Sequence, residues 1–501
     1  MALSRICKVL PRLVWGGLFV LCALTACMDD TEFTSSPTDR LAFSADTVRL
    51  DTVISGQATN TYTFEVYNPN EKAIRLPQVY LEQGAQSPFR VNVDGTYLED
   101  GSASGFEIEA KDSLRVFLFA SIEDSQTDEA VRATDNLVFV TEGGTAQKVN
   151  LEAYGQSVIP LRGLILTRDS LLEARRPYQV YDSLVVSRDA RLTLAAGVRL
   201  YFHPGAQLIV HGSLQAEGTA ASPVLFRGDR LGNMFSQQPY DRIPGQWGGI
   251  VFTGESYGNR MNFCDVHSGT FGVRCDSSDV SVEKLRLENS IVHNMSGDAL
   301  TVRAANVFVG NSQITNAGGN CVTLLGGSST FVHCTIGNFY AFSGGRGVAL
   351  SFANCEGDIR LPLHRAAFLN CLITGYSTDE VLGTQSERYP NDPFAYSFRN
   401  CLLDTPAFED ERVSACLWDN DENAVSREDN FAPVFDLDRL VFTFGLNPAS
   451  LAVDNADPEV TRTYYPNDRN GRDRLADGHP DIGCYELQKD DTAGESASTH
   501  P

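Results

Sequence analysis

The sequence lacks several features that would narrow its function at once. It contains no C-x-x-C pair, which argues against zinc ribbons and thioredoxin-like chemistry, and no H-E-x-x-H or P-loop signature. Between residues 157 and 487 there is a single lysine, Lys284, so a lyase with a lysine base has one candidate. Because Lys284 alternates with outward residues in VEKLRLENS, we expect it on the solvated surface.

Positive charge is also scarce. The 40 Lys and Arg residues face 64 Asp and Glu residues, giving a formal net charge of −24. Such a chain repels nucleic acid and gains nothing electrostatically from anionic lipids. We therefore predict no nucleic-acid partner, and any membrane attachment must be covalent.

The N-terminus has the pattern of a secretory signal. Three basic residues precede the uncharged apolar run 13–23, and small residues follow it. The stretch LTAC resembles the bacterial lipobox, which implies cleavage of residues 1–26 and lipidation of Cys27. Asp29 and Asp30 resemble the export signal of Bacteroidota lipoproteins. This resemblance implies a lipid-anchored protein of the outer membrane that faces the exterior.

Two regions follow the signal. Residues 27–40 are polar and aperiodic, and we interpret them as a tether. Residues 41–156 contain short alternating segments separated by turn residues, the pattern of a β-sandwich. The stretch YTFEVYNPNEKAIRL resembles immunoglobulin-like domains, in which an F-x-V-x-N strand precedes a polar turn.

Beyond residue 160 the chain repeats one formula: Asn, then Cys or Ser, any residue, then Ile, Val or Leu. The Cys or Ser position is occupied in six segments: Cys264, Ser290, Ser312, Cys334, Cys371 and Cys401. A base period near 22 residues with insertions is typical of a coil of short parallel strands. We therefore predict an all-β chain in which residues 160–488 form a right-handed parallel β-helix with a C-terminal cap, followed by a disordered tail, 489–501.

The repeat predicts which side chains face the inside of the coil and which lie at its turns. Alternation along a strand places the Cys or Ser residues inside the coil, as small core residues. The preceding Asn289, Asn311, Asn370 and Asn400 fall at a turn, with His333 interrupting the series. Asn suits this position because it tolerates positive φ and its amide can bond to neighbouring coils.

The end of the chain carries a second resemblance. The stretch NDRNGRDRLADGHPDIGCYE (467–486) resembles the frequent C-terminal signature of extracellular bacterial β-helix proteins, in which PDIGAYE is usual. The chain is thus similar to Bacteroidota surface lipoproteins of the right-handed parallel β-helix repeat family. That architecture hosts lyases, hydrolases, adhesins and inert scaffolds, so it does not identify a function.

The predicted outer face offers little chemistry. A glycosidase needs two carboxylates about 5–9 Å apart, whereas the outward positions hold a mixed series: Asp265, Ile291, Gln313, Thr335 and Leu372. His267 and His293 share one phase and are expected to stack on adjacent coils. Because no third ligand is evident, we favour a surface ladder over a metal site. No catalytic residue, metal or cofactor is predicted.

The long insertion 228–246 is the best candidate for ligand binding. It departs from the coil pattern and carries two aromatic and two charged residues, namely Phe235, Tyr240, Asp241 and Arg242. Aromatic rings that stack on sugars beside charged groups are typical of carbohydrate sites. Packing of the insertion over the first coils explains the same residues.

The leading hypothesis is a surface lipoprotein whose β-helix binds glycans or partner proteins and is not an enzyme. A polysaccharide lyase or glycoside hydrolase with unrecognised catalytic groups is the first alternative. A structural accessory subunit of an outer-membrane complex is the second.

Overall fold

The computed structural model describes residues 31–235, 238–419, 427–432, 436 and 439–487. The predicted signal, Cys27, the acidic pair that follows it and the predicted tail lie outside the described residues.

The chain divides into two compact units. The first holds the described residues up to Leu50, with Ala58–Ser121 and Arg132–Tyr154. The second holds Asp51–Gln57, Ile122–Val131 and the described residues from Gly155 onward.

The first unit consists of short, mainly antiparallel strands. One five-stranded sheet has the order Ala42–Phe43, Tyr62–Tyr67, Ser113–Ala120, Phe89–Val93, Thr96–Tyr97. A second has the order Thr47–Ile54, Ala146–Gln156, Val131–Val140, Gln78–Leu81, Ser102–Ala103. A third sheet has the order Phe33–Thr34, Ala73–Leu76, Phe106–Ile108, and a 3-10 turn spans Gly84–Gln86.

Alternation gives the first unit its core. Ser113–Ala120 exposes and buries successive side chains, as expected of a strand with one solvated face. Phe43 and Phe139, from the two five-stranded sheets, pack with ring centroids 5.4 Å apart. Phe33–Thr34, inside the predicted tether, pairs with Ala73–Leu76, so this part of the tether is held in a sheet.

The second unit is a coil of parallel strands that stack in three columns, which we name sheets A, B and C. Sheet A contains Tyr178–Val186, Arg199–Phe202, Val224–Gly228, Cys264–His267, Ile291–Met295, Gln313–Ala317, Thr335–Asn338, Leu372–Gly375, Leu402–Leu403 and Leu417–Trp418. Sheet B contains Ile159–Leu166, Gln207–Val210, Gly249–Phe252, Val273–Cys275, Leu300–Arg303, Val322–Leu325, Leu350–Ala353 and Val381–Thr384, and joins sheet A through Tyr178–Val186.

Sheet C completes each coil with Ser170–Leu172, Arg191–Leu194, Ser213–Glu217, Asn259–Asn262, Glu283–Glu288, Asn306–Gly310, Gly327–Val332, Leu363–Leu369, Phe394–Arg399 and Val413–Ser414. In the part of the chain that the structure describes, two hairpins leave the coil, Asn233–Phe235 with Gln238–Pro239 and Cys355–Glu356 with Ile359–Arg360. Within the described residues of this unit, the helical segments are the 3-10 turns Tyr240–Arg242 and Arg427–Asn430 and the α-helix Pro458–Tyr464. Among the described residues, no helix is long and apolar enough to cross a membrane.

The register predicted from the repeat is confirmed along sheet A. Asp265 pairs with Ile291, and the series continues through Gln313 and Thr335 to Leu372. The six residues at the Cys or Ser position are all fully buried, and every described cysteine is a free thiol. The small residues therefore face the inside of the coil, as the alternation predicts.

The turn between sheets C and A is also confirmed. Asn289, Asn311, His333, Asn370 and Asn400 all have φ between 50° and 53°, a left-handed conformation that asparagine tolerates better than most residues. The Asn311 amide donates to Asn289 Oδ1 at 2.7 Å, which ties one coil to the next.

The outer face of sheet A is not exposed where the sequence predicts it to be. Gln313, Thr335 and Leu372 are all buried, because the chain after the last coil returns along this face. A second apolar cluster forms there, comprising Phe339, Leu372, Leu402, Phe431, Phe444, Leu446, Ala452, Ala456 and Ile482.

The C-terminal signature fastens this returning segment. The fully buried Arg474 guanidinium donates to Asn311 Oδ1 at 2.8 Å and to the Gly483 carbonyl at 3.0 Å. Asp468 accepts from the Glu486 amide at 3.0 Å. The C-terminal signature, residues 467–486, is therefore fastened to the asparagine turn, and we name it the clasp.

Candidate functional site

Two neighbouring coils of sheet A place two histidines and an aspartate together on the outer face. Asp265 and His267 are two residues apart in one strand, so both side chains leave it on the side opposite the buried Val266. His293 is paired in register with His267 on the next coil. The two imidazole rings lie 4.9 Å apart between centroids.

Asp265 joins the two histidines. Its Oδ1 lies 2.8 Å from His267 Nδ1 and 3.3 Å from His293 Nε2. The other ring nitrogen of His267, Nε2, lies 2.7 Å from Asp241 Oδ1. The predicted stacking of His267 and His293 on adjacent coils is confirmed, but the predicted surface position of His267 is wrong, because its side chain is only 5% exposed. Asp265 supplies the third donor that the sequence prediction lacked.

The insertion 228–246 reaches this group because its backbone is hydrogen-bonded to the coils. The Ser268 hydroxyl donates to the Asp241 carbonyl at 2.5 Å, and the Asn294 amide donates to the Arg242 carbonyl at 3.2 Å. Arg227, in the adjacent strand of sheet A, pairs with Asp241 Oδ1 at 2.7 Å. These contacts fix the carboxylate of Asp241 beside His267.

The group is held in a charged form at neutral pH. Burial opposes ionisation of Asp241, but the hydrogen bond and charge of His267, with the charge of Arg227, lower its pKa to about 2. Burial likewise opposes protonation of His267, but the carboxylates of Asp265 and Asp241 raise its pKa to about 9. The pKa of Asp265 lies well below its ordinary value, since both histidines outweigh its burial.

A cavity of about 710 Å³ opens beside His293. One wall is the outer face of sheet A, with His293, Asn294, Gln313, Thr315 and Asn316 from consecutive coils. The opposite wall comes from the returning segment and is largely apolar, with Phe442, Phe444, Leu446, Pro448 and Tyr485. Arg242, Arg472 and Glu486 also line the cavity.

The two walls are joined by a direct contact. The Tyr485 hydroxyl donates to Gln313 Oε1 at 2.7 Å, and the Gln313 amide donates to Thr315 Oγ1 at 3.0 Å. Because Tyr485 belongs to the C-terminal signature, the clasp that closes the fold also sets the width of the cavity.

The residues predicted in the insertion do not all meet at this site. Arg242 lines the cavity and Asp241 contacts the histidine group. Tyr240 lies under the guanidinium of Arg230, 3.8 Å from ring centroid to carbon, and Phe235 is 63% exposed. Neither aromatic ring is among the described residues that line the cavity, so their role in binding stays a prediction.

Lys284 cannot serve as a catalytic base, and its predicted surface position is wrong. A register irregularity between Glu283 and Leu285 turns it inward, where it is fully buried. Its ammonium group donates to the Thr253 and Ser256 carbonyls at 2.6 and 2.7 Å. These hydrogen bonds compensate for the burial of the ammonium group and hold it inside the coil, where a substrate cannot reach it.

The stretch GESYG (254–258) has the spacing of a G-x-S-x-G nucleophile turn, but Ser256 is fully buried. Its hydroxyl donates to the Gly212 carbonyl at 2.8 Å and accepts from the Asn259 amide at 2.8 Å. Both bonds close a corner of the coil, so Ser256 has a structural role.

The site also has little capacity for glycosidic cleavage. A glycoside hydrolase requires one carboxyl group that is protonated at working pH, whereas the charge of His267 holds the pKa values of Asp241 and Asp265 below their ordinary range. Burial raises the pKa of Glu486 to about 8, but its carboxylate accepts from the Asp481 amide and from Arg474 within the clasp. In the described part of the cavity we therefore find no acid–base pair.

Comparisons with known proteins leave the family open. No protein-family model matches the sequence, and a search of curated proteins finds no match. Among solved structures, the catalytic domain of a GH87 α-1,3-glucanase in complex with nigerose aligns with a TM-score of 0.30 and 9% identity, covering 77% of this chain and 93% of that one.

Two smaller structures align with about a quarter of this chain. The PapD-like domain 7 of human CEP192 has a TM-score of 0.16 and 9% identity, covering 24% of this chain and 89% of that one. The periplasmic chaperone SfaE has a TM-score of 0.17 and 15% identity, covering 23% of this chain and 57% of the chaperone. Scores this low assign neither a family nor an activity to this chain.

Proposed function

We propose that the second unit binds a glycan in the cavity beside sheet A. The observation that carries this proposal is the contrast between the two walls, one of amides and hydroxyls and one of aromatic and aliphatic side chains. A sugar ring has an apolar face and a rim of hydroxyl groups, and therefore needs both kinds of surface. The volume lies within the range of about 300–1,000 Å³ that is usual for ligand sites.

The charges of the lining favour an acidic glycan. Arg242 and Arg472 are among the residues that line the cavity, beside one carboxyl group, that of Glu486, and a guanidinium matches a carboxylate in shape and charge. The chain as a whole is strongly acidic. Positive charge in this cavity would therefore attract an anionic ligand, although the net negative charge of the chain repels it.

The N-terminal sequence supports a proposal for where the protein is located in the cell. We propose that Cys27 carries acyl chains, that the protein is anchored in the outer membrane, and that it faces the exterior. In this proposal the first unit is an immunoglobulin-like spacer and the coil is right-handed. A partner protein on the cell surface, or a structural place in an outer-membrane complex, is the alternative occupant of the same face.

Glycan binding can be tested by calorimetry of the purified protein against a panel of neutral and acidic polysaccharides. Phe442→Ala removes an aromatic ring from the cavity wall. We expect it to weaken binding about tenfold, because about 1.4 kcal/mol of lost contact corresponds to a factor of ten. The matched control is Phe235→Ala, which removes an exposed phenylalanine of the insertion and should leave the affinity unchanged.

The outcomes separate the hypotheses. Loss of binding in Phe235→Ala with retention in Phe442→Ala would move the site to the insertion. Absence of binding across the whole panel would contradict a glycan ligand. Formation of new reducing ends or unsaturated uronates would show that the protein is a hydrolase or a lyase.

The anchor has its own test. Cys27→Ala should release the protein from the membrane fraction, because the acyl chains are the proposed attachment. Protease added to intact cells should digest the wild-type protein if it faces the exterior. Retention of Cys27→Ala in washed membranes would refute lipidation.

A further inference from the structure

We propose that Asp265, His267 and His293 form a binding site for a divalent transition-metal ion, with Zn²⁺ as the ion that fits best. This inference goes beyond glycan binding and does not depend on it.

The positions of the donor atoms support the site. One ligand atom from each of the three residues can be chosen so that all lie within 4.8 Å of one another. Asp265 Oδ1 is 2.8 Å from His267 Nδ1 and 3.3 Å from His293 Nε2. Zinc bonds of about 2.0–2.2 Å in tetrahedral geometry place ligand atoms about 3.4 Å apart. Small rotations of side chains that already face one another, with release of the proton from His267 Nδ1, would therefore bring the three atoms to this spacing.

The surroundings of His267 match those of a metal ligand. A ligating histidine usually donates its second ring N–H to a carboxylate, which fixes the tautomer and the ring orientation. His267 has this arrangement, because Nδ1 points toward Asp265 while Nε2 is 2.7 Å from Asp241. Asp241 is in turn held by Arg227 at 2.7 Å.

The backbone holds the ligands rigidly. His267 and His293 are register partners in sheet A, so their separation is set by the spacing of adjacent coils. Trp247, fully buried and stacked on Phe202, donates its indole N–H to the His267 carbonyl at 2.8 Å. The backbone positions of the ligands are therefore set before the ion arrives.

Three protein ligands leave a tetrahedral ion with one open position, as in catalytic zinc sites. His293 lies both in this group and in the wall of the cavity. The open position would therefore face the cavity, where water or an oxygen atom of a bound ligand can occupy it. A hydroxyl or carboxylate group is the chemistry that such a position takes.

The test uses the full-length protein, stripped of metal with a chelator and dialysed against Zn²⁺ without any glycan. We expect one ion per chain, and Co²⁺ in its place should give visible d–d absorption without a thiolate charge-transfer band. His293→Gln should abolish this stoichiometric binding. Asp241→Asn, which alters only the support of His267, should weaken binding about 10- to 100-fold.

The matched control is His203→Gln. His203 Nδ1 is 2.8 Å from Asp229 Oδ2, so it forms a similar histidine–carboxylate pair, but the three-donor group found among the described residues does not include it. Its loss should leave Zn²⁺ binding unchanged. If His293→Gln binds as well as the wild type, or if the wild type binds no stoichiometric Zn²⁺, the proposed site is wrong.

A second measurement avoids reliance on the variants folding. Zn²⁺ should protect His293 of the wild type from diethyl pyrocarbonate, while His203 reacts at the same rate with and without the ion. Equal protection of both residues would indicate adventitious binding and overturn the site. Because no glycan is present, failure here leaves the glycan proposal standing, and the converse also holds.

Discussion

His333 should make the second unit less stable in acid. It occupies the turn that asparagine fills on neighbouring coils, is fully buried and has φ of 50°. Its Nδ1 lies 3.2 Å from the Gly483 carbonyl, and its Nε2 lies 2.9 Å from the Asn370 amide, which is a donor. These partners fit a neutral imidazole with the proton on Nδ1.

The magnitude follows from proton linkage. Burial first, and the charge of Arg474 second, hold the pKa of His333 well below its ordinary value of 6.5. The unfolded chain therefore takes up a proton below pH 6.5 that the folded chain does not, so this contribution to stability is present above pH 6.5 and is lost as the pH falls. The loss is about 1.4 kcal/mol for each pH unit below pH 6.5, which gives about 2 kcal/mol at pH 5.

The variant His333→Asn should remove this dependence, because asparagine tolerates the same turn and does not titrate. We expect it to cost about 1–3 kcal/mol at pH 7.5 through the lost bond to Gly483, and the gap to the wild type should close by about 2 kcal/mol at pH 5. Urea unfolding at several pH values measures this, followed by fluorescence of Trp247 and Trp418. Both residues lie in the second unit, and Trp15 is the only other tryptophan.

Other titrating groups are present in both proteins and cancel in the comparison. The exposed His364 gives a matched control, since His364→Asn should follow the wild type at every pH. A constant gap between the wild type and His333→Asn from pH 7.5 to pH 5 would show that His333 is not held neutral in the folded chain.

Two further predictions concern buried polar groups. Lys284 should resist acetylation in the native protein while surface lysines react. Lys284→Met should lower the free energy of unfolding by about 1–3 kcal/mol, because it leaves two carbonyl groups unpaired. Rapid labelling of Lys284 in the native protein, read by mass spectrometry, would contradict its burial. Cys371→Ser should change the free energy of unfolding by less than about 1 kcal/mol. The reason is that Ser312, at the equivalent position of another coil, already donates to the carbonyl two residues earlier at 2.7 Å. A larger change in the free energy from urea unfolding, or labelling of the Cys371 thiol in the native protein, would show that Cys371 does not face the inside of the coil.

The repeat makes sheet A predictable because each coil repeats the same local choices. The inward direction of Cys334 and Cys371 and the turn at Asn311 follow from alternation and from the left-handed backbone that asparagine accepts. Asp265 could have been recognised as the partner of His267 by the same rule, since residues two apart share a face. The signal was present in the sequence.

The remaining features depend on contacts that do not recur from one coil to the next. Lys284 obeys the alternation in sequence and departs from it in the structure, because one irregularity in the strand reverses its direction. The burial of Leu372 depends on a segment that has no repeat and returns from elsewhere in the chain. The cavity belongs to the same class, since one of its walls is that returning segment.

The clasp has a consequence for the order in which the second unit folds. Each coil pairs with the next one along the chain, so stacking requires only short loops to close. Arg474, by contrast, meets Asn311 across 163 residues, and Tyr485 meets Gln313 across 172. During synthesis the coils can therefore stack before the returning segment covers Leu372 and Leu402 of sheet A, which leaves these apolar side chains bare and prone to self-association. The cavity needs both of its walls, so it forms only after the returning segment has closed on sheet A.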